Sequence, residues 1–214
     1  DRIEYQAVTR THSPLKPGDF WALHFPVRAA VVVEERVLLN LPANRQIALK
    51  RDEEFEPIVE EGSGRRRYVW TLSNPEPRKD TSQQRRLFSV SSFSTWQEVG
   101  AWFRELHADR AVLTPELETL AHRLVEGKGT TEEKLNAIYH HISQSVRYVA
   151  ISLGLGGYRP HLAAEVWQNQ FGDCKDKDLL LRTLLAAVGI QAYSALVNTQ
   201  LEIEGEVPSP GEFD

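Results

Sequence analysis

Phe171-Gly172-Asp173-Cys174-Lys175-Asp176-Lys177, running into Leu179-Leu180-Leu181, is the stretch that decides how this chain is read. It holds the only cysteine in 214 residues. A Gly-Asp turn delivers that cysteine to the first turn of an apolar helix. The first turn of a helix leaves N–H groups unpaired and carries a partial positive charge, and both favour a thiolate over a thiol. A cysteine so placed is a candidate nucleophile. The plainer alternative is a small buried hydrophobe, the usual role of a lone cysteine.

Working outward, the cysteine helix is expected over about 173–188, with Leu181, Leu184, Leu185 and Val188 as its buried stripe and Gly189 as its stop. Lys175 and Lys177 are expected on its exposed side. A short helix from Leu162 to Asn169 feeds the turn. Further upstream the apolar period is near 3.6. Ser94 with Gln97 and Thr95 with Glu98 have capping-box form, and a helix should run from Trp96 to about His107. Thr114-Pro115 is an N-cap followed by proline at the first helical position. Thr130 with Glu133 is another capping box, and Leu135, Ile138, Ile142 and Val146 form an apolar stripe behind it. Arg147 to Ser152 reads as extended, Gly154, Gly156 and Gly157 as a loop, and Tyr193 to Val197 as a strand. The acidic, proline-containing tail from Leu201 to Asp214 is expected to be poorly ordered.

Before Thr95 the period is nearer two. Phe20 to Phe25, Ala30 to Val33 and Arg36 to Leu41 read as strands. Tyr68, Trp70 and Leu72 lie two apart and so share a face. Gly62-Ser63-Gly64 reads as a hairpin turn between Pro57–Glu60 and that strand. Prolines at short intervals fit a sandwich of short antiparallel strands.

Composition excludes several classes. The net charge is −5 and the pI near 5.8, so no basic field invites nucleic acid. No apolar run reaches membrane-spanning length. No cofactor fingerprint follows the glycine-rich run. His12 and His24 have no ligand partner at metal spacing, and His140 and His141 point about 100° apart on one helix. One cysteine and scattered histidines give no metal-ligand set, so a metal-binding protein has little support.

Gly172-Asp173-Cys174-Lys175-Asp176-Lys177 resembles the nucleophile motif of the bacterial transglutaminase-like superfamily, which shares the papain-type cysteine-protease architecture. Val146-Arg147-Tyr148-Val149, Gly156-Gly157-Tyr158-Arg159-Pro160, Leu184-Leu185 and Gly189-Ile190 extend the resemblance, which covers about Trp96 to Thr199. Asp178 departs from it: the family has a small residue there, on what is expected to be an exposed helix face. The strand rhythm before Thr95 resembles the β-domain of unknown function that often precedes such domains.

The resemblance implies an α+β chain. An N-terminal antiparallel β-sandwich-like domain, residues 1–95, is followed by the helical first half of a transglutaminase-like domain, residues 96–214. It implies a cysteine acyl-transfer enzyme, a peptidase or amidase or a transglutaminase, acting on a protein or peptide in an extracytoplasmic bacterial setting. Cys174 would be the nucleophile. Gln168, six residues before it, would be an oxyanion donor, as a glutamine at about that spacing is in papain-like enzymes, with Trp167, Asn169 and Gln170 as its rivals. In the family the general base follows the cysteine. No histidine follows Cys174 here, and His161, 13 residues before it, is a weak substitute. The expectation is therefore a piece of a longer protein, cut short at both ends, with its histidine and aspartate beyond Asp214, and inactive by itself. The alternative of another class is a non-catalytic binding or scaffold module on the same fold.

Overall fold

Alternating apolar and polar residues in the first part of the chain form six strands: β1 (Trp21–His24), β2 (Val32–Pro42), β3 (Ala48–Arg51), β4 (Ile58–Gly62), β5 (Arg65–Asn74) and β6 (Phe88–Ser91). They are seen in a computed structural model that describes residues 6–77, 85–150, 154–199 and 205–213. The strands make two antiparallel sheets, in the orders β1-β6-β3 and β2-β5-β4. β4 and β5 meet in a two-residue hairpin. Gly62 pairs with Arg65, and Ser63 and Gly64 both take left-handed φ values, 52° and 70°. Such a turn matches the right-handed twist of the strands it joins, and glycine is the residue that adopts it without strain.

Trp70 and Leu72 are buried on one face of β5, with Tyr68 half-buried beside them, as the spacing predicts. The indole of Trp70 stacks on Phe88 of the other sheet, with centroids 4.8 Å apart. Leu87, Phe88 and Val90 complete this core. β6 is the central strand of its sheet and is buried along its whole length. Its Phe-Ser-Val-Ser pattern is too short and too rich in serine to be recognised from sequence. Burial on both faces explains why no alternation is visible there.

The tail differs from its expectation. Residues 205–213 pack on the β-rich part, with which Asn198–Asp214 forms one compact unit. Val207 is buried, and Trp96 Nε1 donates to the Gly205 carbonyl at 2.8 Å. A 3-10 turn, Pro210–Glu212, places the Glu212 carboxylate on Arg86 Nη1 at 2.7 and 2.8 Å, with both side chains almost wholly buried. Residues 201–204 lie outside the described residues.

The second unit, Gly100–Val197, is helical. α1 (Trp96–Ala108) begins in the first unit and crosses the division. α2 (Pro115–Leu124) starts at Thr114, whose hydroxyl accepts from Leu117 N–H, with Pro115 at its first position. α3 (Thr131–Ser145) starts on the Thr130–Glu133 capping box. Then come a short strand β7 (Arg147–Tyr148), a 3-10 turn at Gly154–Gly157, α4 (Ala163–Asn169), a short strand β8 (Phe171–Gly172) and α5 (Cys174–Ala187). Ile138, Ile142 and Val146 are buried, but Leu135 is exposed. On α5, Leu179 and Leu180 are fully buried beside Leu184 and Leu185, while Leu181 and Val188 are only partly so. α2, α3 and α4 all pack against α5, so its apolar arc is wider than one stripe. Tyr193–Val197 joins no sheet among the described residues, and the extended segment after Val146 pairs only at Arg147–Tyr148. Ile151 and Ser152 lie outside the described residues.

Removing one partner of a buried ion pair leaves the other charge uncompensated, at a cost of about 3–5 kcal/mol. Glu212→Ala should therefore lower the stability of the β-rich unit by that order in denaturant unfolding. A loss under about 1 kcal/mol, the range of exposed pairs, would show that the tail is not held this way.

Candidate active site

Asp173 is the N-cap of α5. Its carboxylate accepts from Asp176 N–H at 3.3 Å, and the Asp176 carboxylate accepts from Asp173 N–H at 3.1 Å. This reciprocal cap satisfies two donors that a helix start otherwise leaves unpaired. Cys174 is the next residue, the first of the helix, and it is exposed. The sequence-predicted nucleophile thus stands at a capped helix N-terminus within reach of solvent.

The two lysines behave differently from expectation. Lys175 is buried and ion-paired with Asp173. Lys177 is partly buried and donates from Nζ to the Val146 carbonyl at 2.9 Å. Each finds an acceptor that the folded turn places beneath it. Their charge is spent on holding the turn together, not displayed beside the thiol.

Asp176 is the centre of the arrangement. Its side chain is 3% exposed. Besides Asp173 N–H it accepts from His161 N–H at 2.8 Å, and its oxygens lie 3.2 Å from His161 Nδ1. The loop at Pro160-His161 is thereby fixed to the cysteine turn. A Cβ on Gly172 would come within 2.7 Å of Asp176 Cβ, so the glycine is required by close approach.

A second seam holds the other side of the turn. Gln170, with φ 55°, caps α4 in the left-handed region and redirects the chain into β8. β7 and β8 pair in parallel, Arg147 opposite Phe171 and Tyr148 opposite Gly172. Arg147 N–H donates to Gln170 O at 2.9 Å, and Val149 N–H donates to Gly172 O at 3.0 Å. Tyr148, more than half exposed, is held by this pairing beside the turn that leads to Cys174. The charge of a Cys174 thiolate beside it, with partial burial and Asp173, holds the Tyr148 phenol above its ordinary range. Sequence spacing gives no sign of this placement, because 26 residues separate the two and only the β7–β8 register joins them.

The other candidates are placed as follows. Gln168 is exposed on the last turn of α4, and among the described residues no hydrogen bond joins it to Cys174. His161 is exposed and its ring is engaged by Asp176. Among the described residues no histidine contacts Cys174. His141 packs on Trp167, centroids 5.4 Å apart, and burial, then Arg123, hold it below the ordinary imidazole range. Asp178, the departure from the family pattern, accepts from Arg182 Nε at 3.1 Å and from Ser194 Oγ. It thus binds the segment after α5 and is not an idle surface residue. Arg182 in turn donates to Nδ1 of the buried His107 at 3.4 Å.

The chain is a mixed α+β one whose second part sets a cysteine at the head of a buried helix, after a glycine turn. Residues 118–203 match the model of the transglutaminase-like superfamily, and residues 1–79 match that of a domain of unknown function with solved structures, DUF3857. The chain carries a transglutaminase-like segment preceded by that domain. Among solved structures it is similar to a "putative protease" from Parabacteroides distasonis, at 19% identity and a TM-score of 0.70. That match covers 92% of this chain and 40% of the other, so the chain spans two fifths of that protein's length. A "putative cysteine protease" from Cytophaga hutchinsonii matches at 13% identity over 80% of this chain and 58% of its own, with a TM-score of 0.34, too low to bear on the fold. A search of curated proteins gave no match.

Gly172→Ala forces Asp176 to shift, and overpacking of this kind costs about 1–3 kcal/mol. The variant should unfold at lower denaturant, and its Cys174 should react at a changed rate. An unchanged midpoint would mean that the turn relaxes freely. The buried His107 gives a pH dependence. Burial first, and Arg182 next, hold it below the ordinary imidazole range, against the opposing pull of Asp178 and the Tyr158 carbonyl. The unfolded chain then binds the extra proton first, so this contribution is complete above about pH 6.5 and is lost as pH falls below it. His107→Gln should flatten the stability profile between about pH 7 and 5. An unaltered slope in thermal unfolding would remove His107 as its source.

Proposed function

We propose that the transglutaminase-like part serves cysteine-dependent acyl transfer on a peptide or protein amide, with Cys174 as the nucleophile. The observation that supports this most directly is the solvent-reachable cysteine at the capped N-terminus of α5. The Cys174 thiolate would attack the amide carbonyl carbon, and the carbonyl π pair would move to oxygen. The tetrahedral adduct would then collapse to a thioester as the C–N bond breaks and the amine leaves with a proton. Water or a second amine would resolve the thioester, making the chemistry a peptidase or amidase reaction in the first case and a transglutaminase reaction in the second. Gln168, exposed on the last turn of α4, is the oxyanion donor in this reading.

The amine needs a proton and the thiol must lose one, which is the work of a histidine in this chemistry. No histidine contacts Cys174 among the described residues, so we infer that residues 1–214 alone do not turn over amides. The same observation favours a second reading, a binding or scaffold module that keeps the fold without the catalysis.

The two readings differ in the thiol. A neutral alkylating reagent at pH 7 should label Cys174 several-fold faster in the folded chain than in the chain unfolded by denaturant, because thiolate reactivity follows the local field. Labelling that is slower when folded would favour the module. Turnover of a peptide amide that depends on Cys174 would overturn the inferred inactivity and promote His161.

A further inference from the structure

We infer that the β-rich unit carries a binding site of its own, a cationic cavity that takes the C-terminal carboxylate of a peptide. This site does not rest on the acyl-transfer reading. A cavity of about 530 Å³ opens where β6 ends and β3 begins, beside the paired Ser91 and Ala48. Its volume is in the range of small-molecule sites. Residues 92–94 line one side and 43–48 another, and Arg66 reaches it from β5 of the second sheet. Arg66 lies two and four residues before Tyr68 and Trp70, so it shares the inner face of β5 with them. Arg65 and Arg67 alternate to the other face, and neither lines the cavity.

The lining holds two guanidinium groups, of Arg45 and Arg66, and no carboxylate, in a chain whose net charge is −5. The acids that accompany them stand outside the wall. Glu61 on β4 accepts from Arg66 Nε at 2.6 Å, and Asp19 accepts from Arg45 Nη2 at 3.2 Å. Asp19 is shared: Lys16 is ion-paired with it at 2.6 Å and the Ser92 hydroxyl donates to it at 2.8 Å. Lys16 Nζ also lies 4.3 Å from the ring centroid of Phe93, a buried residue of the lining. A guanidinium carries five N–H donors, so each arginine can hold a second acceptor, and the two oxygens of a carboxylate match its fork. Around the cations the wall is polar and uncharged. Among the described residues the side-chain amides of Asn44 and Gln46, both exposed, have no hydrogen-bond partner. Ser94 gives its N–H to Glu98 and keeps its hydroxyl for a ligand. An amide both donates and accepts, which suits a peptide bond and is more than a bare anion uses. β3, which leads out of this lining, is an edge strand with a sheet neighbour on one side only, the kind of edge that extended peptides join.

The test is a titration followed in NMR amide correlation spectra of the whole chain. The probe is N-acetyl-alanyl-valyl-alanine, as the free acid and as its C-terminal amide, with acetate and inorganic phosphate as simple anions. The acid at millimolar concentration should shift the amide signals of residues 44–48 and 92–94 saturably. The C-terminal amide, which lacks the charge-assisted pair, should bind at least about 10-fold more weakly. Arg45→Gln and Arg66→Gln should each weaken the acid by about 10-fold, while Arg67→Gln, on the other face of β5, should leave it unchanged. The comparison of acid with amide uses the unaltered chain, so it decides the matter even where an arginine variant fails to fold. Equal binding of acid and amide would overturn the carboxylate reading, as would a folded arginine variant that binds the acid like the unaltered chain. Acetate or phosphate acting on the same signals as tightly as the peptide acid would make this a simple anion site and overturn the peptide assignment. Shifts confined to the cysteine turn, or none at residues 44–48 and 92–94, would overturn the site itself and leave the acyl-transfer reading as it stands.

Discussion

The turn that carries Cys174 depends on one buried carboxylate. Asp176 is the third residue of α5, and it binds backward to Asp173 N–H and sideways to His161 N–H and ring. A buried carboxylate is costly unless hydrogen-bonded, and here Asp173 N–H, His161 N–H and the His161 ring all meet it. Its effect is to fix three segments at once: the helix start, the turn before it and the loop 15 residues upstream. Gly172 makes room for it, since a side chain there would collide with it. Cys174, the first residue of the helix, owes its position to this arrangement.

The electrostatics of the turn follow from the same economy. Lys175 sits on Asp173 and Lys177 on the Val146 carbonyl, so neither lysine presents a free charge to the thiol. What lies beside the thiol is the helix start itself, the positive end of the helix dipole. Because Asp173 and Asp176 cap each other, the helix begins at a defined residue and the cysteine cannot fray away. The Arg86–Glu212 pair plays a comparable part in the β-rich unit, where it fastens a tail that composition alone would leave loose. In both places the charges serve placement more than net stability, as buried pairs often do.

Local signals in the sequence located most of the helices. Thr114-Pro115 and Thr130 with Glu133 begin α2 and α3 where their capping chemistry says they should, because a cap is an interaction between residues three apart. The Gly-Ser-Gly hairpin and the Tyr68-Trp70-Leu72 face were legible for the same reason. β6 was not, because a strand buried on both faces shows no alternation. Nor was the packing of residues 205–213: its anchors, Arg86 and Trp96, are more than 100 residues away in sequence.

By itself, then, the sequence determined that this is an α+β chain, that Cys174 heads an apolar helix, and that its motif resembles the transglutaminase-like one. Each of these rests on neighbours within a few residues, where propensity, capping and periodicity operate. The tertiary structure alone decided that Lys175 is buried, that Asp176 ties the turn to His161, that Asp178 has partners in Arg182 and Ser194, and that Tyr148 lies opposite Gly172 beside the turn. These contacts depend on strand register and on helices packing from different parts of the chain. Side-chain direction reverses with a one-residue slip of register, so only the folded chain fixes which groups face the thiol.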